Sequence, residues 1–451
     1  MSMKFYSTNG QSPAVNLQDA LLAGQAPDRG LYLPAQIPRL PRETIASFAA
    51  KPYHQIAFDV LSQYTRGVIP DPDLARMCRE AYDFGIPLEV IQGRKFLMRL
   101  DQGPTASFKD FAARMMARMF GFFLNQTGGK LTILTATSGD TGAAVARAFH
   151  GIPGVRVLVL FPVAEVSASQ RKLMTTLQGN VRTLAVDGKF DDCQAMVKQA
   201  FADPDLRHIP LSSANSINIG RLLPQCVYYF FAASRLADTD EPVVFSVPSG
   251  NFGDMMGAVL AREMGLPVRK IIAPVNDNDA FPRFLATGVY QKVSPSRNSV
   301  SNAMNVGHPS NLARLTALYG GHMDETGKIH RQPDMDRMRR DLFSSSISDQ
   351  KTRSSLKSFW EQYNILLEPH GVVAWQGFLD WAATEDMGQS PIVMVETANP
   401  AKFPEEVEKV VGWPPDVPFH MQAAMDLPED FDRMTVEYGR FKAYLMKHQA
   451  S

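Results

Sequence analysis

The sequence predicts an α/β protein with two open, mostly parallel, twisted sheets that carry helices on both faces. From about residue 131 to residue 274, short apolar runs rich in β-branched residues alternate with helical patterns, and βαβ units produce this alternation. Gly, Pro or polar turns bound each run. The predicted strands are LTILTAT (131–137), VRVLVLF (155–161), VRTLAV (181–186), VVFSVP (243–248) and VRKIIAP (268–274).

Helical patterns separate these runs, and a later run predicts one more strand. The run IVMVE (392–396) follows another helical stretch and is able to join one of the sheets. The predicted helices are 142–150, 191–201, 217–237 and 253–264.

Two strand–loop–helix units carry a similar glycine-rich loop. Residues 138–142 read S-G-D-T-G and residues 249–253 read S-G-N-F-G, each between an apolar strand and a helix. The repeat favours two α/β domains that each present a loop to a shared cleft. Since any tight βα turn favours Gly and Asn, a chance likeness is the competing interpretation.

The same patterns divide the chain into three parts. Residues 1–90 are rich in Pro and short helical pieces, without strand alternation, and we expect an N-terminal cap region. Residues 91–129 and 216–451 are predicted to form a large α/β domain that binds the ligand of the second loop. Residues 130–215 are predicted to form a small, mobile α/β domain. The segment 277–350 is expected to form long loops over the site.

The composition argues against several kinds of partner. Formal charge cancels, with 46 basic against 46 acidic residues, so neither nucleic acid nor an anionic membrane is an expected partner. No apolar stretch reaches the roughly 20 residues of a membrane span, and the N-terminus has no signal-peptide core. Cys78, Cys193 and Cys226 are far apart and not in metal-ligand spacing. We therefore expect no metal site and a reducing, cytoplasmic location.

Lys109 is the first candidate for chemistry. It follows a G-P-T turn at 103–105 and stands in the first turn of a helix that apolar spacing predicts. The positive end of that helix and the neighbouring Phe108 and Phe111 disfavour the ammonium form, which favours a neutral amine able to attack an aldehyde. The alternative is a lysine whose stem covers apolar surface while its ammonium group reaches water.

The loop 249–253 is a candidate anion site. Its glycines allow close backbone approach, and unpaired N–H groups at the start of the next helix point at one place. The loop lacks the lysine of a Walker A motif and the three glycines of a dinucleotide fingerprint. A tight βα turn without a ligand is the competing interpretation.

Two further segments place polar groups at predicted helix starts. The segment 135–146 delivers hydroxyl and N–H groups suited to a carboxylate or phosphate, although Asp140 repels an anion unless it caps the helix. The segment 212–225 places Asn and Arg at spacings of three, a face able to hold a planar anion. A solvated helix start explains that face equally well. The candidate substrate contacts are Thr137, Ser138, Asp140, Thr141, Asn215, Asn218 and Arg221.

The order of these motifs resembles that of the threonine synthases, in the longer subgroup found in many bacteria and fungi. The resemblance covers about residues 6–403, and it is specific because several independent motifs keep one order. It implies the tryptophan-synthase-like fold type II of pyridoxal phosphate enzymes. The motifs are YSTNG…DRGLYLP (6–34), S-F-K-D (107–110), S-G-D-T-G (138–142), A-N-S-I-N-I-G-R (214–221), P-S-G-N-F-G (248–253) and E-T-A-N-P-A-K-F (396–403).

The resemblance implies roles for single residues. Lys109 corresponds to the lysine that holds pyridoxal 5'-phosphate as a Schiff base, and Thr397 to the hydroxyl partner of the pyridine nitrogen. A neutral hydroxyl leaves that nitrogen largely unprotonated. Many fold type II enzymes have Asn where this chain has Asp140, which puts the contacts of that loop in question. The family's loop for the cofactor phosphate corresponds to Gly250, Asn251, Phe252 and Gly253.

The implied reaction converts O-phospho-L-homoserine and water to L-threonine and phosphate. The substrate amine displaces Lys109, which then moves protons at Cα and Cβ while phosphate leaves from Cγ and water adds at Cβ. Substrate and cofactor carry three anionic groups, and three segments offer anion sites: 249–253, 138–142 and 215–221. The expected enzyme is a monomer or homodimer.

The sequence leaves three alternatives. A related phospholyase keeps Lys109 and the loop 249–253 but releases a 2-oxo acid and phosphate from the same substrate. A nucleotide-dependent oxidoreductase is disfavoured because no G-x-G-x-x-G motif is present. A non-catalytic cofactor-binding or regulatory protein is disfavoured by the intact lysine and loops.

Overall fold

Two sheets organise residues 2–448, the part of the chain that the computed structural model describes. Their central strands are the apolar runs that the sequence predicts. The described residues form the strands β1 (Phe5–Ser7), β2 (Tyr32–Pro34), β3 (Leu88–Gln92), β4 (Lys95–Arg99), β5 (Leu131–Ala136), β6 (Val155–Pro162), β7 (Val181–Val186), β8 (Leu211–Ser213), β9 (Val243–Ser246), β10 (Val268–Ile272), β11 (His322–Met323), β12 (Ile329–Arg331), β13 (Leu342–Phe343), β14 (Ile392–Glu396) and β15 (Asp432–Met434).

Helices connect the strands and cover the sheets. Short 3-10 helices add single turns, and those at Ile219–Arg221, Asn302–Met304 and Pro400–Lys402 lie near the site described below. The α-helices are α1 (Leu17–Ala23), α2 (Arg42–Ser47), α3 (Tyr53–Thr65), α4 (Asp71–Ala81), α5 (Lys109–Thr127), α6 (Asp140–Phe149), α7 (Ala168–Thr175), α8 (Phe190–Ala202), α9 (Val227–Leu236), α10 (Gly253–Glu263), α11 (Ala280–Thr287), α12 (Leu312–Leu318), α13 (Met335–Asp341), α14 (Asp349–Tyr363), α15 (Pro369–Ala382), α16 (Pro404–Val411), α17 (Phe419–Met425) and α18 (Tyr438–Lys447).

The larger sheet has six strands in the order β13-β10-β9-β14-β4-β3, and all neighbours are parallel except β3 and β4. The late strand predicted at 392–396 is β14, in the middle of this sheet. Its register places Glu396 opposite Arg99, so β14 and β4 end at the same level. The segments that follow these two strands therefore leave the sheet at one edge.

The smaller sheet has five parallel strands in the order β15-β7-β6-β5-β8. Its strands β5, β6 and β7 are those predicted at 131–137, 155–161 and 181–186. Both sheets are mostly parallel, which confirms the predicted α/β fold class.

Alternate residues of the strands enter different cores. In the smaller sheet, Ile133 and Val157 face a large central core that also receives α5 and α6, whereas Leu134 and Leu158 face an outer core with α8 and α18. Strands buried on both faces need apolar residues at consecutive positions, which explains the continuous apolar runs. The helix α5, which begins at Lys109, contributes buried residues to the central core.

The C-terminal segment corrects the predicted domain limits, which placed all of residues 216–451 in the large domain. Strand β15 pairs with β7, with Met434 opposite Val186. Helix α18 places Phe441 and Leu445 in the outer core of the smaller sheet. A strand of three residues is too short for its periodicity to be recognised in a sequence. Residues 432–447 therefore pack with the smaller sheet.

The helix predicted at 217–237 is also wrong in its first half. Two 3-10 helices, Ile219–Arg221 and Leu223–Cys226, precede α9, which begins at Val227. The Asn218 side chain accepts the N–H of Gly220 at 2.9 Å. Pro224 has no N–H to donate, and together these two features interrupt a continuous α-helix.

The predicted cap region, expected to have short helices without strands, contains short strands, and the segment expected to form long loops contains short helices. In the predicted cap region, β1 and β2 pair antiparallel, and β3 crosses the predicted limit at residue 90. The segment 277–350 contains α11, α12 and α13 between its loops. These elements are at most eight residues long, which makes their periodicity weak.

Removing the Phe441 ring tests the assignment of the C-terminal helix. Phe441 is buried, so Phe441→Ala should lower the free energy of unfolding by about 3–5 kcal/mol. Hydrogen exchange should accelerate in β7 more than in β14, because only β7 lies in the sheet that α18 covers. Phe419→Ala is the control, since Phe419 is 88% exposed. Equal acceleration in both strands would contradict the assignment.

Candidate active site

Four candidate segments follow strands at the carboxyl edges of the two sheets. Lys109 follows β4, residues 249–253 follow β9, and Thr397 follows β14 in the larger sheet. The loop 137–141 follows β5 in the smaller sheet. Ligands of parallel α/β sheets bind at this end of the strands.

The turn before Lys109 is hydrogen-bonded to the first turn of α5 and to the segment that follows β14. The carboxylate of Asp110 accepts hydrogen bonds from the backbone N–H and the hydroxyl of Thr105, both at 2.8 Å. The backbone N–H of Phe108 donates to the carbonyl of Thr397 at 2.9 Å. These bonds fix where α5 begins and hold Lys109 beside the end of β14.

Lys109 lies in a mostly buried, charged setting. Its side chain is 12% exposed, and its Nζ lies 3.4 Å from Oδ2 of Asp140 and 4.6 Å from the ring centroid of Phe108. Burial lowers the pKa of Lys109, the charges of Lys402 and Arg221 lower it further, and Asp140 opposes them. The lowered pKa increases the fraction of neutral amine, the form that attacks an aldehyde.

The loop Gly250–Gly253 presents unpaired backbone donors. None of its four N–H groups donates a hydrogen bond to another group in residues 2–448. Phe252 adopts a left-handed conformation (φ 63°, ψ 15°) immediately before α10 begins. A Cβ atom on Gly250 would lie 2.9 Å from the carbonyl oxygen of Ala303, so this position has no room for a side chain. The loop therefore forms a cradle of backbone donors at a helix N-terminus, a geometry that suits an anion.

A buried arginine holds this cradle in place. Asn311 donates to the carbonyl of Asn251 at 2.9 Å and accepts from Arg314 at 2.6 Å. Arg314 also donates to the carbonyls of Ser216 and Ile217. Burial lowers the pKa of Arg314 to about 9. The arginine thus connects the loop 250–253 to the segment 215–221.

Asp254 in the first turn of α10 is a site residue that sequence analysis missed. The hydroxyls of Tyr228 and Tyr229 donate to its Oδ1 at 2.5 and 2.6 Å. Burial raises the pKa of Asp254 to about 6, against the lowering effect of the two hydroxyls. The partners lie about 25 residues away in the chain, so no local pattern marks this carboxyl group.

The loop 137–141 forms a second set of free donors. Thr137 uses its hydroxyl oxygen to accept the N–H groups of Gly139 and Gly142, at 2.9 and 2.8 Å, so it caps α6. Among the described residues, no acceptor binds the N–H groups of Ser138, Asp140 or Thr141. The Ser138 and Thr141 side chains are partly exposed. The Thr137 hydroxyl oxygen therefore helps to position this loop, and contacts of Thr137, Ser138 and Thr141 with substrate stay predictions.

Asp140 does not cap α6, in contrast to the role that sequence analysis allowed for it. Its Oδ1 lies 2.6 Å from Nζ of Lys402 and accepts from Gln170 at 3.0 Å, while its Oδ2 faces Lys109. Although burial raises the pKa of Asp140, the charges of Lys402 and Lys109 hold it well below its ordinary value. Lys402 lies in the E-T-A-N-P-A-K-F motif, but nothing in that motif marks the lysine as buried.

Some polar side chains of the segment 215–221 form hydrogen bonds only within the protein, and others keep groups that are able to bind a ligand. Asn218 is buried and fully hydrogen-bonded: its amide donates to the carbonyls of Leu21 and Ser213 and accepts the Gly220 N–H. This bonding uses both donors of the amide, and a contact of Asn218 with substrate stays a prediction. Asn215 is partly exposed and donates to Ala136 at 2.8 Å. Arg221 donates through Nη1 to the carbonyl of Ala214 at 2.7 Å.

Arg221 keeps a buried Nε that binds no acceptor in residues 2–448. Burial lowers the pKa of Arg221 to about 10, yet the group remains cationic near neutral pH. The positive charge of Arg221 also lowers the pKa of Lys109. Of the three polar residues predicted here, Asn215 and Arg221 are therefore able to contact an anion, and Asn218 positions them.

Thr397 lies on a buried carboxylate network. Its hydroxyl lies 3.3 Å from Oε1 of Glu368, which also accepts the backbone N–H of Gly371 at 3.1 Å. The other oxygen of Glu368 accepts the backbone N–H of His370 and contacts its imidazole. Burial and the charge of Glu368 raise the pKa of Glu396. Sequence analysis missed this network because E-P-H at 368–370 reads as an ordinary helix start.

Two further features, a membrane-spanning helix and a metal-binding cluster, are absent from residues 2–448. No helix there is long and apolar enough to cross a membrane, and no group of three or more His, Cys, Asp or Glu side chains is arranged to bind a metal ion. Cys78, Cys193 and Cys226 are free and buried.

Family models match the chain along most of its length. A model described as a pyridoxal-phosphate dependent enzyme matches residues 85–398. Two models specific to threonine synthase match the ends of the chain: the N terminus at residues 4–82 and the C-terminal part at residues 373–445.

Proteins similar over their full length agree with these models. The threonine synthase of Haemophilus influenzae is 38% identical over 448 residues, which cover 99% of this chain and 100% of that protein. That of Pseudomonas aeruginosa is 37% identical over 469 residues, 99% of this chain and 98% of that protein. The crystal structure of a PLP-bound threonine synthase from Brucella melitensis has a TM-score of 0.92 and 36% identity, with 100% of both chains covered. The chain therefore belongs to the threonine synthase family of pyridoxal phosphate-dependent enzymes.

Proposed function

We propose that the protein converts O-phospho-L-homoserine and water to L-threonine and phosphate, with pyridoxal 5'-phosphate as cofactor. The supporting observation is the placement of a buried lysine of lowered pKa, a cradle of four free N–H groups and a hydroxyl at the carboxyl edge of one sheet. These three features match the aldehyde, the phosphate and the ring nitrogen of that cofactor.

The residues that hold the cofactor are proposed from this fit. Lys109 would hold the aldehyde carbon, the loop of Gly250, Asn251, Phe252 and Gly253 would hold the phosphate, and Thr397 would hold the ring nitrogen. When bound, the cofactor supplies an electron sink that acidifies the Cα and Cβ hydrogens of an amino acid. All further steps depend on groups of the protein.

Lys109 acts as the proton carrier once the substrate amine has taken its place. One amine in this role would serve both Cα and Cβ of the substrate. Its lowered pKa favours the neutral form that accepts the first proton. Phosphate then leaves from Cγ, and a water molecule adds at Cβ to give the threonine hydroxyl.

The substrate anions use the remaining donors of the site. The N–H groups of residues 138, 140 and 141 and the hydroxyls of Ser138 and Thr141 suit a carboxylate or a phosphate. Asn215 and the cationic Arg221 form the other candidate anion site. The two segments lie side by side, because Asn215 donates to Ala136 at the end of β5.

We further propose that the part built on the smaller sheet closes over the substrate. Contacts across the site support closure: Ser167 donates to the carbonyl of Lys402 at 3.0 Å, and Asn302 donates to Gln170 at 3.3 Å. Closure would keep bulk water out until phosphate leaves. Free buried thiols fit a cytoplasmic enzyme, and the assembly is proposed as a monomer or homodimer.

Product analysis with Lys109→Ala tests the proposal. Wild-type protein should release threonine and phosphate in equal amounts from O-phospho-L-homoserine, and Lys109→Ala should lower turnover by about three orders of magnitude or more. Borohydride should fix the cofactor to Lys109 in the wild type and leave the variant unlabelled. Lys130→Ala is the control, because Lys130 is an exposed lysine outside the site. A 2-oxo acid in place of threonine would instead indicate a phospholyase.

A pair of glycine substitutions tests the phosphate cradle. A Cβ on Gly250 would lie 2.9 Å from the Ala303 carbonyl oxygen, and one on Gly257, inside α10, would lie 2.9 Å from the backbone of Gln225. Both Ala variants should lose about 1–3 kcal/mol of stability. Only Gly250→Ala should weaken cofactor binding in equilibrium dialysis, by about tenfold or more. Equal cofactor affinities of the two variants would show that the loop 250–253 does not bind the cofactor phosphate.

The contact of Thr397 is tested by removing its hydroxyl at constant shape. Thr397→Val should weaken cofactor binding about five- to tenfold, the effect of one lost hydrogen bond, and should change the visible absorption band of the bound cofactor. Thr397→Ser keeps the hydroxyl and should keep both properties. If Thr397→Val retains the native spectrum and affinity, Thr397 does not contact the cofactor.

A further inference from the structure

Lys402 is a second lysine at the site, and the proposed reaction gives it no role. It ends the 3-10 helix Pro400–Lys402 that follows β14, and its side chain is fully buried. Its Nζ donates to the carbonyl of Thr105 at 2.9 Å and lies 2.6 Å from Oδ1 of Asp140. A lysine is almost never buried completely without a partner, so the ion pair with Asp140 accounts for its position.

Asp140 stands between two ammonium groups. Oδ1 binds Lys402 and Gln170, and Oδ2 lies 3.4 Å from Nζ of Lys109. The contact with Lys402 is shorter by 0.8 Å, from the two distances of 2.6 and 3.4 Å. Lys402 is therefore the principal counter-charge of Asp140, and Lys109 is the secondary one.

The difference between the two distances matters because Lys109 changes its bonding when it reacts. In the proposed function on which this inference rests, Nζ of Lys109 would hold the cofactor in one state and would be a free amine in the other. A buried carboxylate that depended on Lys109 alone would lose its partner at each change and would take up a proton. Lys402 takes no part in that exchange and keeps the same contacts.

Lys402 also affects Lys109 directly. Its positive charge lowers the pKa of Lys109, whereas the charge of Asp140 raises it. Without Lys402, Asp140 would pair with Lys109 alone and stabilise the unreactive ammonium form. The other charged or titratable groups that interact with these three side chains are Arg221, His370, Asp254, Asp110 and His420.

We propose that Lys402 is a positioning residue that keeps Asp140 ionised and takes the larger share of its charge, so that Asp140 holds the Lys109 amine only weakly and leaves it able to react. The pair also connects the two sheets, since Asp140 begins α6 of the smaller sheet and Lys402 follows β14 of the larger one. The hydroxyl of Ser167 donates to the carbonyl of Lys402 and adds a second link. An acidic residue at position 140 is tolerated beside an amine because Lys402 neutralises it.

The test measures the apo-protein, in which Lys109 carries no cofactor. Pyridoxal phosphate is added with cyanoborohydride at a series of pH values, and labelled peptides are quantified by mass spectrometry. The variants are Lys402→Met, Asp140→Asn and the double variant. The double variant removes both charges of the pair, so it provides a test even if Lys402→Met alone does not fold. Lys409→Met is the control, because Lys409 lies on the surface of α16 with its side chain 64% exposed.

The expected results form a double-mutant cycle. Lys402→Met should move the pH midpoint of Lys109 labelling upward and slow labelling at neutral pH about tenfold, which corresponds to one pKa unit. Asp140→Asn should move the midpoint downward. In the Asp140→Asn background, Lys402→Met should have a clearly smaller effect, because no carboxylate is left to pair with Lys109. Lys409→Met should leave the midpoint unchanged.

Two results would overturn the inference, and a third concerns the proposed function itself. If Lys402→Met leaves the midpoint unchanged, or shifts it equally in both backgrounds, Lys402 does not act through Asp140. If the double variant labels with the midpoint of Lys402→Met alone, Asp140 has no part in the effect. If wild-type protein is labelled at a lysine other than Lys109, both the proposed function and this inference fail.

Discussion

The buried amine of Lys109 is the constraint around which the site is built. An ammonium group removed from water needs a counter-charge, but a counter-charge held too closely removes the neutral amine that reacts. The structure meets both needs by sharing Asp140 between Lys109 and Lys402. Burial and the neighbouring cations lower the pKa of Lys109 although the carboxylate opposes them. The two sheets must approach each other for this cluster to exist, so the chemistry and the architecture depend on the same contacts.

The anion sites rest mainly on backbone donors. The loop Gly250–Gly253 and the start of α6 present N–H groups with no acceptor in the described part of the chain. The guanidinium of the buried Arg314, by contrast, donates its hydrogen bonds to backbone carbonyls and to Asn311. It therefore fixes the shape of the cradle instead of supplying charge to a ligand. A cradle of neutral dipoles binds a phosphate without fixing the ammonium form of the lysine beside it.

What the sequence predicts well has local causes. The central strands are continuous apolar runs because both of their faces are buried, and Lys109 and the loop 249–253 stand in motifs whose order is specific. Lys402 and Asp254 acquire their roles only from partners far away in the chain, so no spacing reveals them. Asn218 is an intermediate case, since its place in a polar motif predicts a substrate contact while its amide makes three hydrogen bonds within the protein.

The hydroxyl of Thr397 has one proton, and its neighbours determine where that proton can go. Glu368 accepts it at 3.3 Å, but the same carboxylate also accepts the backbone N–H of His370 at 2.8 Å and that of Gly371 at 3.1 Å, and it contacts the imidazole. The hydroxyl is therefore the longest of these contacts and the one that Glu368 loses at least cost. A ring nitrogen facing Thr397 can then take this proton as a hydrogen bond and remain unprotonated, as expected for a hydroxyl partner. The carboxylate behind Thr397 stays satisfied by three donors from α15, so turning the hydroxyl leaves no buried charge without a partner.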